Sequence, residues 1–179
     1  MSRKTLVALH LYLAAFFAPI LLIMAISGGL YLLGIKGNVT SGDPVQLNNI
    51  QLANDEHLRE QQIRDVFMQV GLDADFEYLK GAGTRWQTRP TSRDHFIIEQ
   101  QGNDLLITPR SPDLIASIVE LHKGHGPGLF RILQQLLALG LVIVLLTGLW
   151  LGLKMASMKN QTLSFTAAGI LLFVLFAAI

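Results

Sequence analysis

Residues 6–33 read LVALHLYLAAFFAPILLIMAISGGLYLL, a run of 28 residues without Asp, Glu, Lys or Arg. A helix needs about 20 apolar residues to cross a hydrocarbon core of roughly 30 Å. The length of the run therefore makes lipid its expected solvent. It holds His10 about one turn inside its start, Pro19 in its middle and Ser27-Gly28-Gly29 near its end. Arg3 and Lys4 precede it, as they would in a secretory signal. A signal core is only about 7–15 residues long and closes on a small-x-small cleavage site. Here the run is longer and its small residues lie deep, so a retained anchor is expected.

Two further apolar runs follow, LFRILQQLLALGLVIVLLTGLWLGL at 129–153 and LSFTAAGILLFVLFAAI at 163–179. The second of these is at the short end of the spanning range. Three transmembrane helices are expected, over 6–34, 129–153 and 163–179. The polar remainder lies between the first two. All 13 acids fall between Asp43 and Glu120, although the net charge of the 179-residue chain is only +1. Apolar ends around a charged middle describe a membrane protein rather than a single globule, and the near-neutral total gives no footing for nucleic acid. Arg3 and Lys4 in the N-terminal tail and Lys154 and Lys159 in the last loop lie in short segments without acids. By the positive-inside rule both segments face the cytoplasm, which puts the middle segment outside.

That middle segment reads as a small α+β domain over 43–110, with a polar, flexible linker at 37–42 before it. Asn54 is a candidate N-cap, Asp55 and Glu56 suit the first turn, and Leu58, Ile63, Val66, Phe67 and Val70 form one stripe that stops at Gly71. Short alternating runs follow around Phe76 and Tyr78, Trp86, Phe96 and Ile98, and Leu105 and Ile107, the last two separated by Gln101-Gly102-Asn103-Asp104. The expected order is one helix and then three or four antiparallel strands, ended by Pro109 and Pro112. A connecting helix from Pro112-Asp113 to about His122 and a Gly/His loop fill 111–128. With no cysteine the chain has no disulfide, no cysteine-ligated iron–sulfur cluster and no covalent c-type haem.

The candidate site residues are histidines. His57 and His95 belong to the polar domain and read as solvated surface. His10 lies within a span, where ionisable groups are costly and face a bundle interior or a cofactor; snorkelling or a bond to a neighbouring helix is the plainer reading. Ala14, Phe17 and Met24 share its helix face. His122 and His125 stand in LHKGHGPGLF, where Gly124, Gly126 and Pro127 argue against a continuous helix and no carboxylate cluster completes a zinc set. Neutral imidazole is a common haem-iron ligand, and a loop turn is the alternative. In the second long run Gly140, Gly148 and Gly152 share a face, and Gly148 to Gly152 is a G-x-x-x-G suited to close helix approach. Trp150 reads as an interface anchor. Catalytic motifs such as H-E-x-x-H, G-x-S-x-G and a phosphate loop are missing, and Ser27 has no evident base partner.

Leu9-His10, Pro19 and Ile26-Ser27-Gly28-Gly29-Leu30 in the first run, Leu121-His122-Lys123-Gly124 after the polar domain, and Leu146-Thr147-Gly148-Leu149-Trp150 in the second run occur in this order. The set resembles the PepSY-associated transmembrane (PepSY-TM) family over about residues 6–155. The resemblance implies a multi-pass protein of the bacterial inner membrane, with its N-terminus cytoplasmic and a PepSY domain in the periplasm. Its larger members resemble b-haem ferric-siderophore reductases, which pass electrons across the membrane and ligate haem through motif histidines. By that analogy His10 and His122 are cofactor-binding positions, with His125 beside them, and haem b is the implied cofactor. This chain is smaller, with fewer spans and histidines. His10 on one face and His122 on the other would be roughly 30 Å apart across the hydrocarbon core and could not share an iron. A homodimer, with the glycine face as a contact surface, or a larger membrane redox partner would supply the second ligands. Two functions follow as expectations: a haem-binding electron-transfer subunit linked to iron uptake, or a non-enzymatic PepSY module that binds or regulates a periplasmic partner.

Overall fold

The computed structural model describes residues 2–178 and divides into two compact units. One unit comprises residues 22–134, the other the residues up to 21 and from 135 onward. Three long helices are built from the three apolar runs: α1 (Arg3–Leu32), α4 (Gly128–Lys154) and α5 (Lys159–Ala177). Each is long and apolar enough to cross a membrane. α1 continues through Pro19. α5 starts four residues before the expected 163, because the polar Lys159-Asn160-Gln161-Thr162 supplies its first turn.

Between α1 and α4 lie β1 (Val39–Ser41), β2 (Val45–Leu47), α2 (Glu56–Val70), β3 (Tyr78–Ala82), β4 (Arg85–Arg89), β5 (His95–Gln101), β6 (Asp104–Pro112) and α3 (Leu114–His122). The strands form one antiparallel sheet in the order β1-β6-β5-β4-β3, with β2 also on β6. Gly83 and Gly102, both at positive φ, turn the β3–β4 and β5–β6 hairpins. The N-cap of α2 is Asp55 rather than Asn54, since the Asp55 carboxylate accepts from the Leu58 N–H at 3.0 Å. It ends at Gly71, whose φ of 71° is the left-handed conformation a helix stop requires.

The registers place Gly81, Trp86, Ile98, Ile107 and Val45 in one transverse row. Neighbours across strands share a face, and this row joins Ile63, Val66 and Phe67 of α2 in the core. The opposite face carries Gln87, Arg89, His95, Ile97 and Arg110, because side chains alternate along each strand. α3 covers part of that face through its buried Ala116 and Val119.

Four expectations change. The segment 37–42 is not a free linker, since Val39, Thr40 and Ser41 pair with Pro112, Ser111 and Arg110. β1 and β2 therefore precede α2 and the sheet starts before residue 43. Phe76 lies outside the strands, although it is buried in the core. Pro109 and Pro112 do not end the sheet, because β6 runs through both. The Pro109 carbonyl accepts from the Gly42 N–H at 2.9 Å. Its missing donor therefore faces the junction between β1 and β2, where no rung needs it. Finally, His95 is buried rather than solvated, as it sits on the face that α3 covers. His57 is exposed, as expected.

Candidate functional site

His10 projects from α1 toward α4, with its Nδ1 2.9 Å from Thr147 Oγ1. The Thr147 hydroxyl has one proton, and it donates that proton back to the helix, 2.7 Å from the Ile143 carbonyl and 3.1 Å from that of Val144. The oxygen can then only accept from the imidazole. With the hydroxyl proton on either carbonyl, the matching neutral tautomer of His10 carries its proton on Nδ1 and its lone pair on Nε2. Gly148 makes this approach fit: a Cβ there would sit 3.3 Å from His10 Cε1.

His122 repeats the device in the other unit. It closes the last turn of α3, and its Nδ1 is 3.3 Å from Ser27 Oγ. Ser27, 0% exposed, donates to the Met24 carbonyl at 3.0 Å. With the Ser27 proton on the Met24 carbonyl, the matching tautomer again donates through Nδ1 and keeps its lone pair at Nε2. A Cβ on Gly28 would fall 2.9 Å from His122 Cε1, so glycine is required beside this ring as well. Each histidine thus rests on a hydroxyl–glycine pair, Thr147-Gly148 or Ser27-Gly28. The sequence holds both dipeptides openly, but each partner lies far along the chain.

His125 is placed differently. Gly124, at a φ of 78°, ends the helical path after His122. The His125 Nδ1 then lies 2.7 Å from Glu120 Oε2. Thr91 Oγ1 donates to the same oxygen at 2.6 Å, and Lys123 Nζ to Oε1 at 2.5 Å. The two neighbouring histidines therefore serve different partners and do not converge. Among the described residues, no group of three or more His, Asp or Glu is placed to hold a metal ion.

Burial would raise the Glu120 pKa, but the bonds from Lys123, Thr91 and His125 outweigh it and bring the pKa down to about 2. A carboxylate with a depressed folded-state pKa contributes stability that is fully present above its unfolded value, near 4.5, and lost as pH falls toward about 2. We expect the melting temperature to drop across that interval, and Glu120→Gln to flatten the drop by the equivalent of about 2 kcal/mol. The comparison of wild type with the variant is needed because Asp113, held low by backbone bonds from Ala116 and Asn38, adds to the same trend. Equal pH profiles would show that the Glu120 contacts carry no linkage. For His95, burial pushes the imidazole pKa down against the bond to the Arg93 carbonyl, with Arg110 acting in the same direction as burial.

The family model described as "Putative PepSY_TM-like" matches residues 73–179. This chain belongs to the PepSY-TM-like family. No curated protein and no solved structure matches it. Within this PepSY-TM-like chain the matched segment runs from just before β3 through α5, so it contains His122, His125, Thr147 and Gly148. It starts after His10, Ser27 and Gly28, and it extends past residue 155 to include the third helix. The glycine face of the PepSY-TM-like α4 is filled from within the chain, Gly140 by Phe17, Gly148 by His10 and Gly152 by Thr162. It is therefore not the free contact surface that its spacing suggests.

Proposed function

We propose that this protein is a membrane-spanning PepSY-TM subunit whose His10 and His122 are axial ligands of b-type haem in an electron-transfer chain linked to iron uptake. The observation that carries this reading is the hydrogen-bond accounting at the two imidazoles. A haem-iron ligand needs a neutral imidazole with a free lone pair, oriented by a bond at its other nitrogen. Thr147 and Ser27 provide that bond, and among the described residues neither Nε2 has a hydrogen-bond partner. The donor set fits the group. Haem, when bound, would supply one-electron transfer; the protein's part is to orient the ligand, raise its basicity and exclude water. His10 is the sole histidine of its unit. Its site would then take a second ligand from another copy or a larger partner. In this reading α1, α4 and α5 cross the bacterial inner membrane, with Arg3, Lys4, Lys154 and Lys159 cytoplasmic and the sheet domain periplasmic.

The visible spectrum of the full chain, purified in detergent from haem-supplied cells, tests this. The expected result is a Soret band that His10→Ala and His122→Ala each diminish. Thr147→Val should weaken haem retention by roughly 10–100-fold with the ligand intact. A colourless wild-type protein refutes the proposal. It would favour the second reading, a non-enzymatic module, which draws on a sheet-domain cavity of about 620 Å³ lined by Asp73, Arg93, His95 and Phe96.

A further inference from the structure

A second cavity, of about 300 Å³, lies between the polar face of the sheet and α3, with Tyr31 and Lys36 also on its lining. Its walls carry four permanent cations, Lys36, Arg89, Arg110 and Lys123, against a single carboxylate, Glu120. Glu120 is already engaged by Lys123 at 2.5 Å and lies 3.9 Å from Arg89. Lys36 and Arg110 have no carboxylate within ion-pair distance among the described residues.

The guanidinium groups are incompletely satisfied. Arg89 is 11% exposed and reaches Thr91 Oγ1 at 2.9 Å, and Arg110 reaches Ser41 Oγ. The buried Nε of each arginine makes no hydrogen bond. Arg59 and Arg131, outside the cavity, share that feature, so what calls for an anion is the surplus of cations over carboxylate on the lining, with Lys36 and Arg110 outside any ion pair among the described residues. We propose that this cavity binds a phosphate ester.

Charge and size select that class. The surplus of three positive charges exceeds what a carboxylate needs. Two planar guanidinium forks suit the oxygens of a phosphate, and two ammonium groups add point charges. The volume is at the low end for ligand sites, so the group is small or only the head of a larger molecule enters. Two of the lining residues bear on where that molecule could lie. Tyr31 stands in the last turn of the apolar α1, with the Lys36 and Lys123 ammonium groups 5.3 and 6.0 Å from its ring centre. Tyrosine and lysine at the end of an apolar helix is the pattern of a membrane–water interface. The same phosphate chemistry is offered by an anionic lipid headgroup and by a soluble phosphate ester. The inference stands on the cavity and does not depend on haem.

The test uses the full chain in two settings. In detergent micelles, sn-glycerol 3-phosphate is titrated by calorimetry. In nanodiscs, retention of phosphatidylglycerol over phosphatidylcholine is read by native mass spectrometry. At least one anion should bind, and Arg110→Gln and Lys36→Gln should each weaken it about tenfold. Arg85→Gln, outside the cavity, should leave binding unchanged. Binding of the soluble ester assigns a soluble ligand, and retention of the anionic lipid alone assigns a headgroup; either supports the proposal. Failure of both anions, or wild-type affinity in both cavity variants, overturns it. Melting curves check that the variants fold, and the exposed Lys36 keeps the test valid if Arg110→Gln does not.

Discussion

Phe67→Ala should lower the melting midpoint of the sheet domain far more than any surface substitution. Phe67 is 0% exposed at the centre of the α2 face, and its ring meets Phe76 and Phe96 edge-on at 5.8 and 4.8 Å. Ile63, Ile98, Leu105 and Ile107 complete its surroundings. Truncating a buried phenylalanine costs about 3–5 kcal/mol, from lost burial and the cavity left behind. A small domain has only about 5–15 kcal/mol in total, so a large share of its margin goes. Trp86, in the same core, provides the fluorescence signal for a thermal melt. Its neighbour Met68 is 65% exposed, and Met68→Ala should move the midpoint little. Indistinguishable melts for the two variants would mean that this core does not hold the domain together.

Gly140→Leu has the largest expected effect in the other unit. Gly140 is buried on α4, and a Cβ at that position would enter the Phe17 ring of α1. For helices in lipid, as proposed above, bringing two apolar faces together yields no hydrophobic gain, and close packing must hold them. Overpacking costs about 1–3 kcal/mol. The double variant Phe17→Ala with Gly140→Leu should recover much of the loss, because the smaller side chain vacates the space that leucine needs. The measurement is a double-mutant cycle on unfolding in mixed micelles, read through its coupling energy. Additive losses would show that the two residues do not meet.

These two sites also mark what the sequence could and could not reveal. The long helices were legible because hydropathy accumulates over runs of 28, 25 and 17 consecutive residues. α2 was legible through its stripe and its Gly71 stop, though not its N-cap, α3 through Asp113 at its start, and the β5–β6 hairpin through its Gly102 turn. β1 and β2 are three residues each, too short for alternation to register, and their partners on β6 lie 58 to 73 positions on. The glycines of α4 were visible as a face, but spacing does not say whose side chain fills it; here it is Phe17, His10 and Thr162 of the same chain. His95 looks like surface in sequence because only α3, added later in the chain, buries it. The histidine sites were half legible. The imidazoles stood out as polar groups in or beside apolar runs, whereas the hydroxyls that orient them lie 95 and 137 positions away. No local pattern encodes such a pairing.

The pairing of β1 with the end of β6 has a mechanical consequence. Asp113 N–H donates to the Asn38 carbonyl at 2.9 Å, and the Asp113 carboxylate accepts from the Asn38 N–H at 2.8 Å. The chain therefore enters and leaves the sheet at one point, closed by a single aspartate clasp. Because β1 and β6 run antiparallel, tension that separates their outer ends loads the rungs one at a time, beginning with Val39 and Pro112. The domain resists such a pull by peeling rather than by shear. Force transmitted along α1 or α3 would open the β1 edge first, while the α2 core stayed intact.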